Sequence, residues 1–282
     1  MDRRDKSPRR VRLNTMQIVA LGFFGVIFLG GVILWLPFCN QKPIAFIDAL
    51  FTSVTSVCVT GLITIVPAEQ FTLAGQIVMM ILIQIGGLGV IACTVLFFLL
   101  LGKKISMKSR VLIQEAYGLD TLSGLVKFII RIIRGTFIVE GIGAILLSIK
   151  FVPEFGWAKG IWYGIFHSIS GFCNAGIDII GSTSFMQYVD SPLVSLTTMF
   201  LIVMGGLGFP VWHDIFVTAK KGAGEKGARR RVFTRLGLQS KIVLIMTAVL
   251  ILGGTLGYFL LEFSNPKTMA DLSVPEKVLA SA

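Results

Sequence analysis

Residues 51–62 read FTSVTSVCVTGL, and residues 166–177 read FHSISGFCNAGI. Superposed at an offset of 115 residues, Phe51, Ser53, Cys58 and Gly61 coincide with Phe166, Ser168, Cys173 and Gly176. Each stretch is apolar yet far shorter than the roughly 20 residues a helix needs to cross a bilayer. Each also lies between runs that do have that length, so both read as re-entrant pieces dipping into the membrane.

The flanking runs cover residues 17–36, 70–102, 191–212 and 242–261, and a fifth at 135–149 is interrupted only by Glu140. With 282 residues, 54% hydrophobic, 15% charged and a mean hydropathy of +0.83, the chain cannot hide its apolar surface in one water-soluble core. A membrane protein is expected. The run at 17–36 is followed by Pro37 and Cys39 rather than a small-residue cleavage site, so it reads as a span and not as a signal peptide.

The net charge of +11 gains its meaning from its distribution. Residues 1–14 hold six Lys or Arg, residues 103–134 seven and residues 220–241 eight, which leaves five of the 26 for the rest of the chain. Basic clusters alternating with nearly neutral segments are the positive-inside pattern of a multi-pass protein of the cell membrane, and they require no nucleic-acid partner. They predict a cytosolic N-terminus and re-entrant stretches that enter from the outer face.

QIGGLGV at 84–90 returns as VMGGLGF at 203–209, offset by 119 residues, so the repeat extends beyond the short stretches. The expected fold is an all-α membrane protein of parallel repeats, each an outer-going helix, a re-entrant pore helix with an extended filter strand, and an inward-going helix. The boundaries are a cytosolic basic arm at 1–15, a first repeat at 16–102, a linker at 103–127, a second repeat at 128–218, a basic linker at 219–238 and an incomplete third repeat at 239–282. The first linker looks amphipathic and helical over 106–117, and Gly253 and Gly254 echo Gly30 and Gly31 of the opening span.

Non-helical backbone at membrane depth leaves carbonyls without intrahelical partners, at several kcal/mol each unless protein, water or an ion satisfies them. A ring of such oxygens can replace the hydration shell of a monovalent cation, helped by the negative ends of the preceding short helices. Gly61 and Gly176 suit this use because turning carbonyls to one side demands φ values that a Cβ disfavours. For Gly86, Gly87, Gly205 and Gly206 the reading is helix packing.

TSVTSVCVTGL, LIQIGGLG, HSISGFCNAG and MGGLGF together resemble the membrane subunit of the Trk/Ktr/HKT superfamily of potassium transporters, closest to the bacterial Ktr type. The resemblance runs from Val11 onward and implies four such units arranged like the subunits of a potassium channel. It implies potassium uptake through a filter formed here by Val59, Thr60, Gly61 and Leu62 with Asn174, Ala175, Gly176 and Ile177. K+ would be the transported ion, with Na+ a second candidate. By the same resemblance the full-length protein is a homodimer on a cytosolic nucleotide-binding regulatory ring, and the chain itself carries no cofactor. The chain departs from the family in having two complete units and a third cut after its first span, so the gate segment expected in the third unit is absent. The competing readings are a secondary transporter of another cation or small solute with broken helices, and a non-conducting fragment or scaffold.

Among the polar residues, Glu140 stands mid-span and calls for a partner or a hydrated cavity, either as an interhelix contact or in the ion path. Asp48 and Asp178 are candidates for a negative outer mouth. His167 is expected to hydrogen-bond a neighbouring helix. Cys39, Cys58, Cys93 and Cys173 form no CxxC and point to neither zinc nor a disulfide framework, and no serine has a suitably placed base, so no enzyme is read.

Overall fold

The computed structural model describes residues 15–89, 92–93, 125–222, 232–266, 268–270 and 272–281. The basic arm at 1–14, the amphipathic stretch at 106–117 and the Gly-rich part of the second linker lie outside them. The protein is an all-α membrane protein, and its first unit consists of α1 (Thr15–Trp35), α2 (Phe46–Val57), a short α3 (Pro67–Gln70) and α4 (Leu73–Leu88). The second consists of α5 (Leu125–Phe155), α6 (Trp157–Phe172), α7 (Pro192–Gly206) and α8 (Phe209–Gly222), after which come α9 (Val232–Arg235), α10 (Leu238–Glu262) and α11 (Val274–Ser281). In each unit the short re-entrant helix, α2 or α6, packs against the long helix before it and the helix after it, and α4 meets α6 across the joint between units.

The repeat holds at atomic detail. Ser53 Oγ on α2 donates to the Ile27 carbonyl of α1 over 2.7 Å, and Ser168 Oγ on α6 donates to the Glu140 carbonyl of α5 over 2.6 Å. A Cβ on Gly30 would come within 2.5 Å of Ser53 Oγ and 2.8 Å of Leu82, and one on Gly143 would meet Ser168 Oγ and Leu201 at the same distances. These glycines let each outer helix press onto its re-entrant helix until a serine reaches the neighbouring backbone. Small residues serve this end where lipid offers no hydrophobic drive for helix association.

Both inward-going runs are broken. The Ser191-initiated span of residues 191–212 divides between α7 and α8, which bend by 93°, and Gly208 between them has φ +84°. The run at 70–102 is likewise interrupted after α4, where Gly89 has φ +83°. Gly89 and Gly208 are the last glycines of the two GGLG motifs, so one glycine of each motif admits close packing and another admits a left-handed residue that ends the helix. Pro210 then sits in the first turn of α8, where a missing N–H costs nothing.

α10 matches the apolar run at 242–261, the expected opening span of the third repeat. Its apolar side chains face outward, with Leu252 71% exposed, and nothing lies within 4 Å of a Cβ built on Gly253 or Gly254. α11 follows α10, and Lys277 Nζ donates to the Phe263 carbonyl over 2.8 Å and lies 4.2 Å above the Phe263 ring.

A Cβ at Gly86 or Gly205 would strike the backbone carbonyl of Val57 or Phe172, the last residues of α2 and α6. Gly86→Ala and Gly205→Ala should therefore each destabilise the protein by about 1–3 kcal/mol, the usual cost of overpacking. Gly25→Ala, with open space around the new methyl, should shift stability by less than about 1 kcal/mol. Thermal unfolding of the three variants in detergent measures the contrast, and equal shifts would contradict the packing role.

Candidate ion filter

Both re-entrant helices end in the same way. The Cys58 amide donates to the Val54 carbonyl over 2.8 Å and Cys173 to Ile169 over 2.9 Å, after which Thr60 donates to Thr55 over 3.1 Å and Ala175 to Ser170 over 2.8 Å. Val59 (φ +49°) and Asn174 (φ +59°) occupy the left-handed region, followed by Gly61 (φ +76°) and Gly176 (φ +67°). Asn tolerates that conformation, whereas β-branched Val does not, so Val59 stores local strain of about 1–3 kcal/mol. The expected extended filter stretch is not a plain strand: Val57 closes α2, Cys58 keeps helical backbone, and residues 59–61 alternate in the sign of φ, positive at Val59 and Gly61. That alternation turns successive carbonyls in ways a pleated strand would not.

The fold brings the two segments into contact. A Cβ on Gly61 would lie 2.8 Å from the Ala175 carbonyl oxygen, and one on Gly176 would lie 3.7 Å from the Gly61 Cα. Thr60, Leu62, Asn174 and Gly176 are exposed on this surface, while Ala175 and Ile177 are buried behind it. Two glycine-bearing backbones abut here with no side chain between them, as an oxygen-lined ion path needs.

The supporting side chains differ between the units. In the first, the Thr55 and Thr60 hydroxyls are 2.7 Å apart. In the second, Ser170 Oγ donates to the Ile177 carbonyl over 2.6 Å and accepts from the Ile177 amide over 3.1 Å. His167 accepts at Nε2 from the Ile179 amide over 3.2 Å and contacts the Tyr163 carbonyl through Nδ1 over 2.7 Å. That pair of contacts assigns the Nδ1–H tautomer. The sequence reading has Ser170 as a residue able to cap or brace backbone, which it does here, whereas His167, expected to bond a neighbouring helix, instead holds the Ile179 amide beyond α6 and the Tyr163 carbonyl of its own helix.

Asp178 accepts from the Ile180 amide over 3.1 Å and lines a cavity of about 200 Å³ with His167, Ser170, Asn174 and Gly176. Asp48 is half-buried in the first turn of α2, favourably placed for the positive end of that helix. Glu140 is buried and accepts from Gln84 Nε2 over 3.0 Å, an interhelix contact between the units. A second link joins them where Trp162 Nε1 donates to Gln76 Oε1 over 2.8 Å. The sequence reading singled out neither glutamine. All four cysteines are unpaired.

A cation transport protein family, TrkH, matches residues 2–274. The chain belongs to this family. It is 43% identical over 271 residues to the potassium/sodium uptake protein NtpJ of Enterococcus hirae, covering 95% of this chain and 57% of the relative. It is 39% identical over 278 residues to the Ktr system potassium uptake protein B of Bacillus subtilis, covering 99% and 60% respectively. A protein of the same name in Vibrio alginolyticus is 38% identical over 265 residues, 94% of this chain and 56% of the relative. The chain thus spans somewhat more than half the length of these relatives.

Ser170→Ala would strip the buried Ile177 amide and carbonyl of the Ser170 hydroxyl, and it should cost about 1–3 kcal/mol, the penalty for an unsatisfied buried group. Ser195→Ala, which loses only a 3.5 Å contact to the Tyr188 carbonyl, should cost less than half of that. Unfolding of both variants in detergent tests the difference.

Proposed function

We propose that this chain supplies two of the four filter segments of a potassium uptake pore in the bacterial cell membrane, with Val59, Thr60, Gly61 and Leu62 facing Asn174, Ala175, Gly176 and Ile177. The observation that carries this reading is the contact of two left-handed, glycine-bearing backbones at the ends of re-entrant helices. Carbonyl oxygens so arranged can replace water around a dehydrated monovalent cation. The names of the relatives, potassium uptake and potassium/sodium uptake, support K+ as the cargo and keep Na+ as a second ion.

The N-terminus lies in the cytosol, because the basic clusters at 1–14, 103–134 and 220–241 follow the positive-inside rule. Ions then enter from the outer face past Asp48 and Asp178, whose charges raise the local cation concentration. The basic cytosolic linkers provide a docking surface for a regulatory nucleotide-binding ring, and the full transporter works as a homodimer. The word "system" in the names of the Ktr relatives favours a membrane subunit with partners.

A bacterium lacking its own potassium uptake, given the transporter that carries this sequence, should grow on low potassium. Gly61→Ser would push a side chain toward the Ala175 carbonyl and lower apparent K+ affinity by about tenfold, or about 1.4 kcal/mol. Growth and uptake indifferent to that substitution would overturn the filter assignment.

A further inference from the structure

Two buried polar oxygens without a partner belong to side chains that already touch. Gln84 on α4 donates from Nε2 to Glu140 Oε1 on α5 over 3.0 Å, yet Gln84 Oε1 and Glu140 Oε2 each lack a hydrogen bond. Glu140 is only 4% exposed. If the carboxylate is ionised, both orphaned atoms are acceptors and the pair is one hydrogen short. A carboxylic acid and a primary amide are complementary across two bonds, N–H to acid carbonyl and O–H to amide carbonyl. One proton on Oε2 converts two unsatisfied acceptors into the second bond of a closed ring. A bare carboxylate in the membrane interior with a single hydrogen bond is the costly alternative.

The internal repeat isolates what is special here. Glu140 stands where Ile27 stands in the first unit, since each carbonyl accepts the hydroxyl of the equivalent pore-helix serine. Gln84 stands where Val203 stands, given the 119-residue offset of the GGLG motifs. The repeated architecture therefore needs neither side chain. The two occur together where the inward helix of the first unit meets the outward helix of the second.

We propose that Glu140 and Gln84 form a buried one-proton site, in which protonated Glu140 donates from Oε2 to Gln84 Oε1 while accepting at Oε1 from Gln84 Nε2. The ring makes Glu140 a positioning residue for the segment 174–177. Its own carbonyl holds Ser168 of α6, and Cys173, at the end of α6, lies within its electrostatic reach. The Cys173 Sγ in turn fills the space beside Gly87 of α4, so the spacing of α4 and α5 sets the base of the second segment. Cys173, with Cys93 near it, is the titratable group facing Glu140 from the filter side. Among the described residues α4 and α6 contribute the uncharged Gln84 and Ser168, and Arg131 and Arg134 lie more than one turn back on α5 itself. As pH rises Glu140 gives up its proton, the ring opens, and two acceptors confront each other.

The test uses the transporter that carries this sequence, purified and reconstituted in vesicles. Difference infrared spectroscopy across an alkaline titration should show the carbonyl stretch of a protonated carboxylic acid that disappears as pH rises and is absent from E140Q. In parallel, the ratio of K+ uptake at alkaline pH to uptake at neutral pH should fall well below one in the native protein. In E140Q, whose amide can close a similar ring without a proton, it should stay near one. The uptake arm presupposes the transport reading above; the infrared arm does not, so their failures are distinguishable. The site is overturned if E140Q leaves the acid band in place, or if both proteins lose uptake in parallel at high pH. A band midpoint that moves with K+ or Na+ at constant ionic strength would equally overturn it, because the oxygens would then hold a metal cation.

Discussion

Everything in this protein is arranged around irregular backbone held at membrane depth. Carbonyls and amides that leave a helix inside a bilayer have no water to fall back on, so each must find a partner in the protein or an ion. The segments 59–62 and 174–177 meet this constraint by similar means. Each amide after the helix end returns to the last turn, two residues adopt left-handed backbone, and the glycines face each other across a gap too narrow for a Cβ between Gly61 and the Ala175 carbonyl.

Holding the segments there requires the re-entrant helices to be immobile, which explains the small residues around them. Gly30 and Gly143 bring the outer helices within hydrogen-bonding reach of Ser53 and Ser168. Gly86 and Gly205 bring α4 and α7 against the carbonyls at the ends of α2 and α6. Each re-entrant helix is clamped on two sides by close contacts, with side chains at Gly30 and Gly143 and with backbone at Gly86 and Gly205, that leave no room for a Cβ. The packing is the same in both units, so it is a property of the repeat.

The differences between the units lie in the polar supports. Thr55 pairs with Thr60 in the first unit, whereas Ser170 and His167 take hold of Ile177 and Ile179 in the second. The units are joined through α4, whose Gln76 and Gln84 reach Trp162 and Glu140. Similar helices can thus carry non-identical surroundings for the segments that follow them, and the asymmetry resides in side chains that the clamp does not use.

The sequence by itself determined the membrane class and the parallel repeat and pointed to Gly61 and Gly176, because hydropathy, charge alternation and a fixed spacing of Phe, Ser, Cys and Gly are all written along one dimension; the other candidate ion-facing residues followed only from the family resemblance. It also marked Glu140 as anomalous, since a carboxylate inside an apolar run is visible without coordinates. Only the tertiary structure decided that Gly61 abuts Ala175, that the last glycine of each GGLG motif interrupts its inward run, and that Glu140 faces Gln84. Periodicity reports which face of a helix is apolar, but it cannot say which distant segment that face meets. A glycine is compatible with packing, with a left-handed turn and with backbone contact alike. The neighbour that leaves no room for a Cβ selects among these, and that neighbour comes from the other half of the repeat.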